Sequence, residues 1–91
     1  MNKELIFNQI VDVLVDEFEV ERRRIKPSSS FNLDLGLDSL DLVDFSLLLE
    51  KETEQIIPVE KLKDVSKVED IILIILKDKI NIMSMISVRN I

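Results

Sequence analysis

The chain of 91 residues is long enough for one small domain with a single hydrophobic core, and 46% apolar with 33% charged residues is a globular composition rather than a disordered one. It contains no Cys, no His and one Gly, which excludes a thiolate nucleophile, a Ser–His pair, a zinc site of the usual kind, disulfides and a glycine-rich phosphate loop. The formal net charge of -6 disfavours binding to nucleic acid or anionic lipid and favours basic patches on partner proteins.

The first predicted helix covers Lys3–Phe18, with Asn2 as its N-cap, because apolar residues recur there at helical spacing. From residue 19 to 38 the periodicity is lost, and Pro27, Asn32 and Gly36 are typical loop residues. A long loop in a compact domain needs buried anchors, and Phe31 is the strongest candidate. The cluster Arg22–Arg24 with Lys26 is interpreted as a solvated loop edge.

The second helix is predicted to begin at Asp38-Ser39 and to run to about Glu54, since Pro58 cannot continue it. Asp41 lies in its first turn, where the helix dipole favours negative charge. One short helical turn is expected at Pro58–Lys63, with Val59 and Leu62 facing inward.

Ser66 and Glu69 form a capping-box pattern for a last helix from about Lys67 to Lys79. Its core stripe is predicted to be Val68, Ile71, Ile72 and Ile75. The fold class is therefore all-α, a small bundle of three longer helices plus one short helix, with a long loop between helices one and two. The helical domain is expected to cover residues 1–79, with a C-terminal tail at 80–91.

The segment from Asp34 to Asp41 is the one place where the sequence indicates chemistry. Gly36 permits a sharp turn before the helix, and Ser39 then lies at a helix N-terminus, where free N–H groups and the dipole favour an attached phosphate. No neighbouring residue could activate the Ser39 hydroxyl. Taken by themselves, these eight residues favour the interpretation that Ser39 caps the helix.

The surrounding residues change that interpretation. Phe31-x-x-Asp34-Leu35-Gly36-Leu37-Asp38-Ser39-Leu40 resembles the prosthetic-group attachment motif of acyl carrier proteins. Ile25-Lys26-Pro27 upstream and Ile57-Pro58-Val59 downstream extend the resemblance over approximately Asn2–Asp78.

The resemblance implies that a phosphopantetheinyl transferase moves 4'-phosphopantetheine from coenzyme A onto the Ser39 hydroxyl, between Asp38 and Leu40. The chain would then be a non-catalytic carrier of acyl groups, held as thioesters on the borrowed thiol. In this family the acyl chain can fold back between the helices. The candidates for lining such a cavity, each equally well explained as ordinary core, are Val43, Leu49, Ile57, Leu62 and Ile71.

The resemblance also implies docking onto basic patches of partner enzymes through the acidic side of the second helix. The matching positions are Asp38, Asp41, Asp44 and Leu47. The expected partners are the transferase and acyl-chain synthases, reductases, dehydratases or acyltransferases of fatty-acid or polyketide-type synthesis. Lys51 falls where an acid is usual and Thr53 where a large apolar residue is usual, which together with the long tail hints at a dedicated pathway.

Two alternatives stay open at this point: a carrier of aminoacyl, D-alanyl or peptidyl groups, and an unmodified acidic helical adaptor. Peptide-synthetase carriers usually show Gly-Gly-[His/Asp]-Ser, so Leu35-Gly36-Leu37-Asp38-Ser39 favours an acyl load. The spacing of Asp34, Asp38, Asp41 and Asp44 does not match an EF-hand loop, so no metal site is predicted. The longest apolar run, Ile71–Leu76, is too short for a membrane span, and no secretory signal pattern is present, so a cytoplasmic monomer without stable membrane insertion is expected.

Overall fold

The computed structural model describes residues 2–77, and within this range the chain forms four α-helices, one short 3-10 helix and no β-strand. The α-helices are α1 (Lys3–Phe18), α2 (Ser39–Thr53), α3 (Val59–Leu62) and α4, of which residues 68–77 are described. The prediction of three longer helices, one short helix and a long connection after the first is confirmed. The predicted boundary at 79 and the tail at 80–91 lie outside the described residues.

Helix α1 has the bounds that the sequence predicts, because both of its ends are specified locally. The Asn2 side chain accepts a hydrogen bond from the backbone N–H of Leu5 at 2.8 Å. At the other end Glu19 adopts the left-handed conformation, with φ of 57°, and donates its N–H to the carbonyl of Leu14.

The core is aliphatic, with a small aromatic cluster at its centre. Phe45 of α2 is fully buried, and its ring centroid lies 6.1 Å from that of Phe18 and 5.5 Å from that of Phe31. These contacts join α1, α2 and the long loop, as expected of Phe31 as a loop anchor. The predicted stripe of α4 is buried as well, and these residues are Val68, Ile71, Ile72 and Ile75.

The long loop is attached to the start of α4 by backbone hydrogen bonds. Phe31 donates its N–H to the Ser66 carbonyl at 2.9 Å, and an isolated antiparallel bridge pairs Ser30 with Lys67. In return, the first N–H groups of α4 at Val68 and Glu69 are donated to loop carbonyls at Ser29 and Pro27, at 3.0 and 2.9 Å. The loop therefore supplies partners for helix-end donors that have none inside the helix.

Two local predictions are wrong. The predicted capping box of Ser66 with Glu69 does not form, because the helix begins at residue 68. The Asp70 carboxylate instead accepts hydrogen bonds from the N–H groups of Ser66 and Lys67, at 3.0 and 2.8 Å. Val59 is 53% exposed, since it lies at the open rim of a groove, whereas Leu62 is buried as predicted.

Candidate functional site

The N-terminus of α2 is closed by a reciprocal pair of carboxylates. Asp38 is the N-cap, and its side chain accepts from the N–H of Asp41 at 2.9 Å, while the Asp41 carboxylate accepts from the N–H of Asp38 at 3.2 Å. Ser39 is therefore the first helical residue, and the interpretation that it caps the helix is wrong. Its side chain is exposed, and its hydroxyl makes no hydrogen bond within residues 2–77.

The turn that leads into this helix is held by its own polar side chains. Asp34 accepts from the N–H of Ser30 at 2.7 Å, and the Ser30 hydroxyl oxygen accepts from the N–H of Leu33 at 3.0 Å. The N–H of Leu37 is donated to the Phe31 carbonyl at 2.8 Å, and Gly36 has φ of 70°, a conformation that favours glycine. Sequence reasoning missed the part of Ser30 and Asp34 in this turn, although a Ser and an Asp four residues apart in a loop was an available signal.

An open groove of about 650 Å³ begins at Ser39 and passes between the long loop, α2 and α3. Its polar rim includes Asn32, Lys63 and Ser66. The apolar residues along it are Phe31, Leu33, Leu37, Leu42, Val43, Val59, Leu62 and Val65.

The five cavity candidates from the sequence fall into two groups. Val43 and Leu62 line the groove. Leu49, Ile57 and Ile71 are fully buried in the core and are not among the residues that line it. The structure thus brings two of the candidates to the Ser39 groove and places three beneath it in the packed interior.

The residues predicted for docking surround Ser39 and continue along α2. Asp38, Asp44 and Leu47 are exposed, whereas Asp41 is half-buried with its carboxylate in the helix cap. Leu40, next to Ser39, is 77% exposed, which is unusual for a large apolar side chain. The surface beside Ser39 therefore combines carboxylates with exposed leucines.

Ser39 lies at the open end of the groove with its side chain exposed. No base is hydrogen-bonded to its hydroxyl in the described part of the chain, and Lys63 is the one cation among the residues lining the groove. No cluster of acidic residues that could hold a metal ion occurs within residues 2–77. The start of α2 nevertheless favours an attached phosphate, because the helix dipole and free N–H groups point toward it.

None of the helices in the described range has the length and apolar character needed to cross a bilayer.

Comparison with known proteins gives one consistent result. Residues 8–75 match the family model described as the phosphopantetheine attachment site.

Relatives with the name acyl carrier protein cover most of the chain. The protein of Lactobacillus acidophilus is 41% identical over 70 residues, which is 77% of this chain and 88% of the relative. That of Clostridium acetobutylicum is 37% identical over 68 residues, or 75% of this chain and 88% of the relative. That of Chlorobium phaeobacteroides is 38% identical over 77 residues, or 85% of this chain and 99% of the relative.

Proposed function

Because the chain belongs to the acyl carrier protein family, we propose that it carries acyl groups as thioesters on a 4'-phosphopantetheine arm attached to Ser39. The observation that supports this site is the exposed, unbonded hydroxyl at the first position of α2, beside an apolar groove. In the modification, the Ser39 oxygen forms a bond to the phosphorus next to pantetheine, and the adenosine bisphosphate part of coenzyme A leaves. The resemblance to the family implies that the transferase supplies the catalytic groups and the magnesium ion.

The chain's own residues fit such an arm. The arm supplies the thiol that a chain without cysteine lacks. Its phosphate would lie at the start of α2, flanked by Asp38 and Leu40, where the helix dipole stabilises negative charge. Val43 and Leu62 would contact the acyl chain in the groove, and deeper entry toward Leu49, Ile57 and Ile71 would require the core to open.

The proposed docking surface consists of Asp38, Asp41, Asp44 and Leu47. The exposed carboxylates would meet basic patches on the phosphopantetheinyl transferase and on enzymes that build or transfer acyl chains of the fatty-acid or polyketide type. Such charge pairs mainly raise the rate of encounter and fix orientation. A cytoplasmic location is part of the proposal.

Mass spectrometry of the intact protein tests the attachment site. After incubation with coenzyme A and a broad-specificity transferase, the wild-type chain should gain the mass of one phosphopantetheinyl group, and Ser39→Ala should gain none. Ser66→Ala is the matched control, because Ser66 is an exposed serine lining the same groove, and it should be modified like the wild type. A gain that survives Ser39→Ala would refute the site, and an unmodified wild type would favour the adaptor function.

A further inference from the structure

A compact cationic site occurs on this acidic protein, away from the carboxylates of α2. Residues Arg22–Arg24 form the 3-10 helix, and all three side chains are exposed. Arg23, Arg24 and Lys26 line an open pocket of about 390 Å³ together with Ser28, Ser29, Leu33 and Asp34. We call these three cations and the space between them the cationic pocket.

Two of these cations make no ion pair with a carboxylate in the described part of the chain. Arg22 pairs with Asp12 at 3.4 Å and Arg23 with Glu21 at 2.7 Å. Arg24 and Lys26 have no carboxylate partner within residues 2–77. The one acid that lines the pocket, Asp34, accepts a hydrogen bond from the N–H of Ser30, within the loop turn.

The backbone that carries the two unpaired cations is fixed from beneath. Ser29 is 5% exposed; its hydroxyl donates to the Arg24 carbonyl at 2.8 Å and accepts from the N–H of Lys26 at 2.9 Å. The backbone at both positions is therefore held by hydrogen bonds of the folded chain itself.

An apolar side chain completes the pocket. Leu33 is 85% exposed and lines both the cationic pocket and the Ser39 groove. Folding does not account for a leucine at this position, because its side chain is left almost entirely in water. A ligand that pairs with the cations could bury Leu33 at the same time.

From these observations we infer that the cationic pocket binds an acidic, leucine-containing segment of a partner protein. A net charge of -6 repels polyanions such as nucleic acid and anionic membranes as they approach, whereas a short acidic segment brings few charges and can fit between Arg24 and Lys26. Its apolar residue would cover Leu33. The site adjoins the Ser39 groove at Leu33 but requires no group on Ser39.

A titration followed by two-dimensional NMR tests this inference. The full chain with Ser39→Ala, which cannot carry the arm at that position, is titrated with an end-blocked peptide of alternating glutamate and leucine at low ionic strength. We expect shifts centred on the amides of Arg24, Lys26 and Leu33, and weaker binding as salt is added. A peptide with glutamine in place of glutamate should not bind.

Charge-reversal variants decide whether the binding is local. The double change Arg24→Glu with Lys26→Glu should weaken peptide binding by about tenfold or more. The control double change, Lys51→Glu with Lys77→Glu, alters the net charge equally at exposed residues outside the pocket and should leave binding within about twofold. Circular dichroism checks that both double variants are folded. If Arg24→Glu with Lys26→Glu does not fold, Arg24→Gln with Lys26→Gln is used in its place.

Three outcomes would overturn the inference. The first is the absence of shifts at millimolar peptide. The second is an equal loss of binding in both charge-reversal variants, which would mean that only net charge matters. The third is tighter binding of a single-stranded oligonucleotide or of phosphatidylglycerol vesicles at the same residues, which would assign the pocket to a different class of ligand.

Discussion

Ser29 and Ser39 differ in their roles because the hydroxyl of Ser29 is buried and that of Ser39 is exposed. Ser29 is buried and both donates and accepts a hydrogen bond, so its hydroxyl holds the loop together. Ser39 is exposed and bonded to nothing within residues 2–77, so its hydroxyl is accessible for modification. The sequence predicts loop residues at Ser28–Ser30, but it does not distinguish the structural serine from its neighbours.

Replacing Ser29 with alanine tests its structural role. The variant leaves the Arg24 carbonyl and the Lys26 N–H without their shared partner, so the free energy of unfolding should fall by about 1–3 kcal/mol. Urea denaturation measures the change. Ser28→Ala, an exposed neighbour, should alter stability by no more than about 0.5 kcal/mol. Equal effects of the two substitutions would contradict the assignment.

Within α2, the acids of the first turns have separate tasks. Asp38 and Asp41 cap the helix through each other's backbone N–H groups, whereas Asp44 is exposed on the next turn. If a substitution of Asp38 lowered kcat/KM of the transferase for this protein, the decrease could therefore come from lost helix stability as well as from lost docking. Because Asp44 takes no part in the cap, a substitution there tests the proposed docking without removing a cap hydrogen bond.

Paired substitutions separate these two tasks. Asp38→Ala should lower the free energy of unfolding by about 0.5–2 kcal/mol, and Asp38→Asn should retain most of it, because asparagine is also a good N-cap. Asp44→Asn should leave stability within about 0.5 kcal/mol and reduce kcat/KM of the transferase for this protein. Thermal melts and initial rates measure the two effects. If Asp44→Asn destabilised the fold and left kcat/KM intact, Asp44 would not be a docking residue.

Helix boundaries could be predicted where their determinants are local. The side chain of Asn2 caps α1 within one turn, and Asp38 with Asp41 caps α2, so the sequence predicts both starts. The start of α4 is predicted to within one residue, and the Asp70 carboxylate caps it locally. The hydrogen bonds from α4 to the carbonyls of Pro27 and Ser29, about forty positions earlier in the chain, are not revealed by any local pattern.

For the molecule as a whole, the set of residues that line the groove could not be predicted from the sequence. Periodicity identifies Leu49 and Ile71 as apolar positions, and both are core residues. It does not show that Val43 and Leu62 alone among the candidates line the groove, because that depends on how the loop, α2 and α3 lie together.

Phe45 joins the parts of this small domain, since its ring meets Phe18 of α1 and Phe31 of the loop. Phe45→Ala should lower the free energy of unfolding by about 3–5 kcal/mol, a large share of the total for a domain of this size. Phe45→Leu retains more of the buried volume and should cost less. Chemical denaturation of both variants measures the order, and a cost of Phe45→Ala below that of the surface change Ser28→Ala would contradict a central position for this ring.

The charge of the whole protein predicts how the modification depends on salt. Because the net charge is -6 and the exposed acids Asp38 and Asp44 lie at the start of α2, kcat/KM of the transferase should fall as sodium chloride is raised, through slower encounter with the proposed basic patch on the transferase. Asp44→Asn should reduce the slope of this dependence, whereas Arg24→Gln with Lys26→Gln should leave the slope unchanged, because those cations line a separate pocket. Initial rates at a series of salt concentrations give the slopes. A smaller slope in Asp44→Asn together with a steeper slope in the double variant, which makes the net charge more negative, would mean that total charge, rather than the carboxylates beside Ser39, governs the encounter.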